Sequence, residues 1–389
     1  MAFALTIDAD RWRSHVDSVA SSVRAASGAG VVPVVKGNGY GLGQRLLTDE
    51  CERISADTVA VGTVFEVDEV AYKGTHDIIV LEPFEPRDAF TADAWWRLGQ
   101  RLHSGRVIRT VASREALLAL ADGPGRSVRV LLEAQTSMHR FGMNENELLR
   151  VLADADVRKA LATARVLVEG LALHMPIAQP ADEIAPRGAE LGTPRVREVV
   201  RWAGLWQAET EVWAGHNSPA SSIWVSHLSD ADLTAVCTAV PDTIVRARVG
   251  TRLWLGARGA MRAAGTVLAV HPLPSGTHVG YRQRTGPKDG TLVVVSGGTT
   301  HGIGLSAPTP AASVRQRVVT AGTGALDAAG RALSPFVWEG KQRWFAEPPH
   351  QHASMIWLPK GCVIPAVGDQ LDADVRFTTS RFDVVLGLN

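Results

Sequence analysis

The sequence predicts an α/β fold: a parallel (β/α)8, TIM-like barrel over residues 1–252, followed by a C-terminal all-β domain over residues 253–389. Three observations carry this expectation. Through the first part of the chain, short apolar β-branched runs alternate with segments of helical period, as in a parallel sheet buried on both faces. Eight such runs occur, the number a closed barrel requires. Beyond residue 253 strand-like runs continue, but helical segments nearly vanish and Gly, Pro and Thr separate the runs.

The eight runs are Val31–Val35, Thr58–Gly62, Asp77–Leu81, Val107–Val111, Val128–Glu133, Gly170–His174, Glu211–Ala214 and Thr243–Arg248. The first helix is read from Trp12, Val16, Val19 and Val23, at spacings of four, three and four. Val64–Tyr72, Arg114–Ala121, Glu145–Ala162 and Thr193–Gln207 are the further helical segments. A doubly wound open sheet competes with the barrel, but no GxGxxG follows the first strand. In the second domain the expected strands are Thr266–His271, Thr291–Val295, Arg317–Ala321, Gln342–Ala346, Ser354–Leu358 and Ala373–Phe377.

Composition excludes several classes. Lys+Arg and Asp+Glu are 40 each, so no basic excess points to nucleic acid. Cys51, Cys237 and Cys362 are far apart without CxxC spacing, which argues against a disulfide framework and fits a reducing compartment. No basic leader and no apolar run of membrane-spanning length are seen, so a cytoplasmic protein is expected.

Lys36 carries the first chemical signal. It ends an apolar strand in Val34-Val35-Lys36-Gly37-Asn38-Gly39-Tyr40-Gly41, where a barrel keeps its chemistry. Desolvation there lowers an amine's pKa and suits it to Schiff-base formation. Only six residues are Lys, against 34 Arg, so a lysine in a motif is informative. Gly37, Gly39, Gly41 and Gly43 let backbone approach a ligand closely. Each candidate also has a plainer reading: Lys36 as a solvated strand end, Arg140 as a loop cation, His174 as a core histidine, Tyr281 as a strand aromatic, and Asn217-Ser218-Pro219 as a turn.

Val35-Lys36-Gly37-Asn38-Gly39-Tyr40-Gly41 resembles the pyridoxal-phosphate lysine motif of the alanine racemase family, in which Ala usually stands at the positions of Gly37 and Gly39. The likeness runs in order along the chain. Leu5–Asp8 with Trp12–Arg24 resembles the family's opening strand and helix, and Thr136 with Met138-His139-Arg140-Phe141-Gly142 its T-G-M-x-R-x-G. Leu173-His174 resembles T-H-F, Asn217-Ser218 A-N-S, Arg248-Val249-Gly250 R-x-G, Val279-Gly280-Tyr281 V-S-Y, and Ser354-Met355 S/C-M-D.

The resemblance implies a pyridoxal 5'-phosphate-dependent amino-acid racemase working on small-molecule amino acids and yielding D-amino acids. Lys36 would hold the cofactor and act as one acid/base group. Tyr281, supplied by the partner of a head-to-tail homodimer, would be the other on the opposite face of the substrate. Arg248 would face the pyridine nitrogen and disfavour its protonation, which favours proton exchange over transamination. His174 would hydrogen-bond Arg248. Ser218, Tyr40 and the backbone of Gly250 and Thr251 would hold the phosphate. Arg140 and the Met355 backbone would orient the substrate carboxylate.

Several positions depart from the family. Glu133 stands where many members carry a Lys, and is expected to pair with Arg140. Ile356 replaces an Asp, Gly298-Thr299-Thr300-His301-Gly302 replaces G-Y-A-D-G, and no Tyr lies near the C-terminus to hold phosphate. The reacting groups are retained while the pocket walls differ, so a substrate other than alanine is an open expectation. The alternatives are another pyridoxal-phosphate reaction, decarboxylation or aldol cleavage, or a relative with little activity. No metal is expected: His350-Gln351-His352 has a ligand-like spacing, but no acidic partner is read beside it and a Pro-rich surface loop explains it. His216, His227, His278 and His301 show no ligand spacing.

Overall fold

The computed structural model describes residues 2–123, 127–177, 192–212, 220–285, 288–305 and 332–388. In chain order the first elements are β1 (Phe3–Ile7), α1 (Ala9–Ser27), β2 (Val32–Pro33), α2 (Gln44–Arg53), β3 (Thr58–Val61), α3 (Val67–Ala71), β4 (Asp77–Pro83), α4 (Ala89–Gly99) and β5 (Val107–Val111). Then come α5 (Arg114–Asp122), β6 (Val128–Ala134), α6 (Glu145–Ala153), α7 (Ala155–Ala162), β7 (Val166–Leu173), α8 (Pro194–Val212), β8 (Ser222–Ser226), α9 (Asp230–Ala239), β9 (Ile244–Val249) and α10 (Thr251–Leu255). The remainder is strands: β10 (Met261–Leu273), β11 (His278–Val279), β12 (Arg284–Thr285), β13 (Gly290–Ser296), β14 (Leu333–Trp338), β15 (Lys341–Phe345), β16 (Ala353–Pro359), β17 (Gln370–Ala373) and β18 (Val384–Leu386).

The chain forms two compact units, Ser14–Gly39 with Gly43–Gly256, and Met1–Arg13 with Tyr40–Leu42 and Ala257–Asn389. The first is a parallel barrel of order β2-β9-β8-β7-β6-β5-β4-β3, closed by a parallel bridge from Val34 to Ala60. The second holds an all-β sheet of order β13-β16-β15-β14-β17-β10-β1-β18, in which β13 also pairs with β10. The opening strand, expected within residues 1–252, belongs to this second unit. β1 runs antiparallel to β10 from Phe3 opposite Gly265 to Ile7 opposite Met261, a pairing too remote in sequence to be read from local pattern.

Strand alternation builds the barrel interior. Val32, Val34, Ala60, Ile79, Ile108, Leu131, Ala172 and Trp224 form one buried cluster, and the Arg246 guanidinium lies 4.8 Å from the centre of the Trp224 ring. Side chains two positions further on face the same way. Lys36, Glu133, His174, Ser226 and Arg248 are therefore the next layer, at the C-terminal ends of the strands.

Two expectations are corrected by packing. Glu211–Ala214 was expected as a strand, but α8 continues through Val212, because Trp202, Trp206 and Thr210 recur every fourth residue as a buried stripe. The seventh barrel strand is instead β8, all five of whose residues are buried. Glu145–Ala162 is two helices: Asp154 ends α6, and its carboxylate accepts the N–H groups of Asp156 and Val157 to start α7. The last expected strand lies earlier, at β17, and Arg317–Ala321 falls outside the described residues.

Gly170 in β7 has φ +145°, and a Cβ there would lie 2.3 Å from Ser222 Oγ and 2.4 Å from the Ser222 carbonyl oxygen. Gly170→Ala is expected to cost about 1–3 kcal/mol through strand displacement, read as a lower denaturant midpoint with an unchanged slope. An unchanged midpoint would show that β7 and β8 can part freely.

Candidate active site

The Lys36 turn is braced from below by a carboxylate. Glu66 accepts the N–H of Gly37 at 3.2 Å, the N–H of Gly62 at 2.8 Å and Gln44 Nε2 at 3.1 Å. Gln44 Nε2 also donates to the Val35 carbonyl at 3.0 Å. The N–H of Gly39 donates to the Lys36 carbonyl at 3.1 Å, and Gly39 has φ +60°. A Cβ at Gly39 would meet the Gln44 backbone nitrogen at 2.6 Å, so the turn requires glycine there. Burial, and then the Arg140 charge, hold the Lys36 amine below its ordinary value, with Glu66 opposing and Arg248 adding to the depression.

Arg248 is 5% exposed. Its Nη2 donates to the Leu173 carbonyl at 3.1 Å, while its buried Nε has no partner. Burial lowers it to about 10, with Glu133 pulling upward and Arg140 downward, so it stays cationic at neutral pH. Glu133 is 2% exposed, and its Oε2 has no hydrogen-bond partner. Burial raises its pKa against the pull of Arg248 and then Arg140. The expected Glu133–Arg140 pair does not form; the Arg140 guanidinium sits 5.0 Å from the centre of the Phe141 ring instead.

His174 faces Ser226, not Arg248: its Nδ1 lies 3.2 Å from Ser226 Oγ. Burial, then Arg248, Arg140, His227 and Lys36, push it down to about 3, so it is neutral at physiological pH. His227 meets it edge-on at 5.2 Å between ring centres, with φ +60°, and its pKa is lowered by burial and then Arg248.

The loop carrying Arg140 folds back on β6. The N–H of Gln135 donates to the Met143 carbonyl and that of Met143 to the Glu133 carbonyl, both at 2.8 Å. Thr136 Oγ1 donates to the His174 carbonyl at 2.6 Å. Ser137 gives its N–H and its hydroxyl to the two Glu198 oxygens, each at 2.6 Å.

The structure thus brings Lys36, Arg140, His174 and Arg248 into one electrostatic neighbourhood, with Glu133 among them. Gly250 precedes α10 and accepts the Trp254 N–H at 3.0 Å; Trp254 Nε1 reaches the Val34 carbonyl at 2.9 Å, and Thr251 is exposed. Ser218 lies outside the described residues. The C-terminal end of β8 is reached only at Ser226, followed by His227 and Ser229. Glu66, Gln44, Glu198, Ser226 and His227 are the residues missed by sequence reasoning. Reading Ser221-Ser222-Ile223-Trp224-Val225-Ser226 as a strand would have found the last two.

Within the second unit, Tyr40 is buried with φ +56°. Tyr281 is 85% exposed on a turn after β11. Met355 packs on the buried Leu273, Val279 and Leu292, and its carbonyl accepts the Ala346 N–H at 2.8 Å. In Gly298–Gly302 the departure has a structural use. His301 is buried, accepts the Gly298 N–H on Nδ1 at 3.1 Å, and places Nε2 3.1 Å from Asp383 Oδ1. His350 does have an acidic partner, Glu347. Among the described residues, no group of three His, Cys, Asp or Glu gathers as a metal site, and no helix is long and apolar enough to cross a membrane.

A parallel eight-stranded barrel with Lys36, His174 and Arg248 at its strand ends, in a chain that also carries an all-β unit, defines the class: a two-unit (β/α)8-barrel protein. A family model described as alanine racemase, N-terminal domain, matches residues 7–236. The chain belongs to the alanine racemase family. An alanine racemase of Nitratidesulfovibrio vulgaris is 27% identical over 275 residues, 69% of this chain and 68% of that protein. The solved alanine racemase of Clostridium difficile 630 superposes with a TM-score of 0.64 at 15% identity, covering 96% of this chain and 86% of the other. That of Bartonella henselae, with covalently bound pyridoxal phosphate, gives 0.63 at 14%, covering 96% and 91%. A histidine racemase from Leuconostoc mesenteroides subsp. sake gives 0.56 at 18%, covering 95% and 87%. These structures share the fold.

The charge arrangement makes an opposed pair of predictions for protein free of cofactor. Arg140→Ala raises the Lys36 pKa toward its ordinary 10.5, and Glu66→Gln lowers it further. The pH profile of Lys36 acetylation, read by mass spectrometry, checks both. Coincident profiles in all three proteins would remove the electrostatic account.

Proposed function

We propose that this chain is a pyridoxal 5'-phosphate-dependent amino-acid racemase with Lys36 and Tyr281 as its two acid/base groups. The observation that carries the reading is the buried, unpartnered Nε of Arg248, one strand-end layer with Lys36. An orphaned buried donor calls for an acceptor, and the cofactor's pyridine nitrogen is one. The surrounding cations suit its phosphate and a substrate carboxylate, so the residues present fit the group.

Bound pyridoxal phosphate supplies an electron-withdrawing ring that makes the substrate's Cα–H acidic. Lys36 holds it, and Gly250, Thr251, Tyr40 and Ser218 are the residues that would bind the phosphate. Arg248 offers its Nε–H to an acceptor and carries its own charge, so it does not hand a proton to the ring nitrogen. That property favours racemisation over decarboxylation or aldol cleavage. Lys36 Nζ, held toward its neutral form, takes or returns the Cα proton on one face. The Tyr281 hydroxyl of a partner subunit does so on the other, in a head-to-tail homodimer. Arg140 and the Met355 backbone orient the carboxylate. Alanine is not assigned as the substrate, because Thr299, Ile356 and Glu133 alter the pocket of the family pattern. The unpaired cysteines Cys51, Cys237 and Cys362 favour a cytoplasmic setting.

The test is α-proton exchange in deuterated water, with the cofactor-loaded protein and a panel of L- and D-amino acids. Exchange with formation of the other enantiomer is expected for one amino acid. Lys36→Ala is expected to lose the visible absorbance of lysine-bound cofactor. Tyr281→Phe should keep that absorbance and lose racemisation by about 10²–10⁴-fold, the contribution of one acid/base group. Full racemase activity in Tyr281→Phe would sink the two-base assignment.

A further inference from the structure

Tyr281 stands on a turn held by a buried carboxylate. Glu347, 2% exposed, accepts the N–H of Tyr281 at 3.3 Å and that of Arg282 at 3.5 Å. His350 Nε2 closes on the same carboxylate. The His350 ring lies 4.4 Å from the Tyr281 ring, centre to centre, at an interplanar angle of 39°. Pro348 and Pro349 join the two residues, and their fixed φ angles favour one return path for the His350 side chain. The His350 backbone is itself pinned: its N–H donates to the Ala353 carbonyl at 2.9 Å and its carbonyl accepts the Thr299 N–H at 2.8 Å.

Gly280 makes the arrangement possible. Its φ is +70°, and a Cβ there would fall 1.8 Å from the carboxyl carbon of Glu347. The serine of the family's V-S-Y pattern cannot coexist with Glu347 where it lies. Gly280, Glu347 and His350 thus meet at the Tyr281 turn.

We propose that Glu347 and His350 are positioning residues for Tyr281. Glu347 fixes the backbone of the turn, and His350 fixes the direction of an otherwise exposed phenol. The inference rests on the reading of Tyr281 as one of the two bases.

Two measurements test it on the cofactor-loaded enzyme. In the first, α-proton exchange is followed separately for each enantiomer of the amino acid that exchanges fastest in the panel above. Tyr281→Phe is expected to abolish exchange of the enantiomer it serves and spare the one served by Lys36. Glu347→Gln and His350→Leu should lower exchange of that same enantiomer about tenfold, leaving the other enantiomer and the cofactor absorbance unchanged. In the second, ¹³C-tyrosine labelling resolves the three tyrosines. The Tyr281 signal, assigned by its loss in Tyr281→Phe, should carry a ring-current shift that vanishes in His350→Leu. Equal losses on both enantiomers, no loss, or an unmoved tyrosine signal would overturn the positioning role while leaving the base assignment intact. No effect of Tyr281→Phe would remove the base assignment and this inference together. If Glu347→Gln does not fold, His350→Leu carries both measurements.

Discussion

The buried guanidinium of Arg248 is the constraint on which the barrel's C-terminal end depends. Taking a cation out of water costs several kcal/mol unless it is fully paired. Here it is met by one carbonyl, from Leu173, and by the field of Glu133. Burial moves four titratable neighbours toward their neutral forms. The Lys36 amine and the His174 and His227 imidazoles are pushed down, and the Glu133 carboxyl is pushed up. The Arg248 charge adds to the depression of the lysine and the histidines and opposes the rise of Glu133, so burial sets the sense of the shifts and the guanidinium tunes them.

Both units use one device to hold a residue assigned to proton transfer. Beneath Lys36, Glu66 gathers the N–H groups of Gly37 and Gly62 with the Gln44 amide. Beneath Tyr281, Glu347 gathers two N–H groups and His350. Each turn needs positive φ at a glycine, Gly37 and Gly39 in one and Gly280 in the other. A carboxylate accepting backbone donors converts a turn of high intrinsic freedom into a fixed platform at little cost in bulk.

Much of this was legible in the sequence, and the reasons are specific. Alternation along the strands placed Lys36, Glu133 and His174 at strand ends, each two residues after an apolar one, and Arg248 ends the run Thr243–Arg248. The strand at Ser222–Ser226 was missed because serines bracket it, and the apolar Val212-Trp213-Ala214 just upstream competed for the role. With that strand misplaced, Ser226 and His227 were lost to view. β1 was assigned to the barrel because its partner β10 is remote in sequence, which no local pattern reports. Glu66, Glu198 and Glu347 were invisible for another reason. They act by accepting backbone N–H groups from elsewhere, and a carboxylate in that role looks the same in sequence as one in solvent.

The departures from the family pattern sort by what they touch. Lys36, Arg248 and Tyr281 follow the pattern. Glu133, Thr299 and His301 do not follow the pattern. His301 has a structural explanation, since its ring joins the Gly298 turn to Asp383, whose carboxylate accepts the Phe3 N–H at 2.8 Å. Glu133 does not: one of its oxygens is buried without a partner, a position costly to maintain unless a ligand or a proton completes it. These departures fall where a substrate side chain or carboxylate would be judged, whereas Gly37, Gly39 and Gly280 alter the backbone beside Lys36 and Tyr281 and leave both side chains in the sequence. That distribution is the physical ground for assigning the chemistry ahead of the substrate.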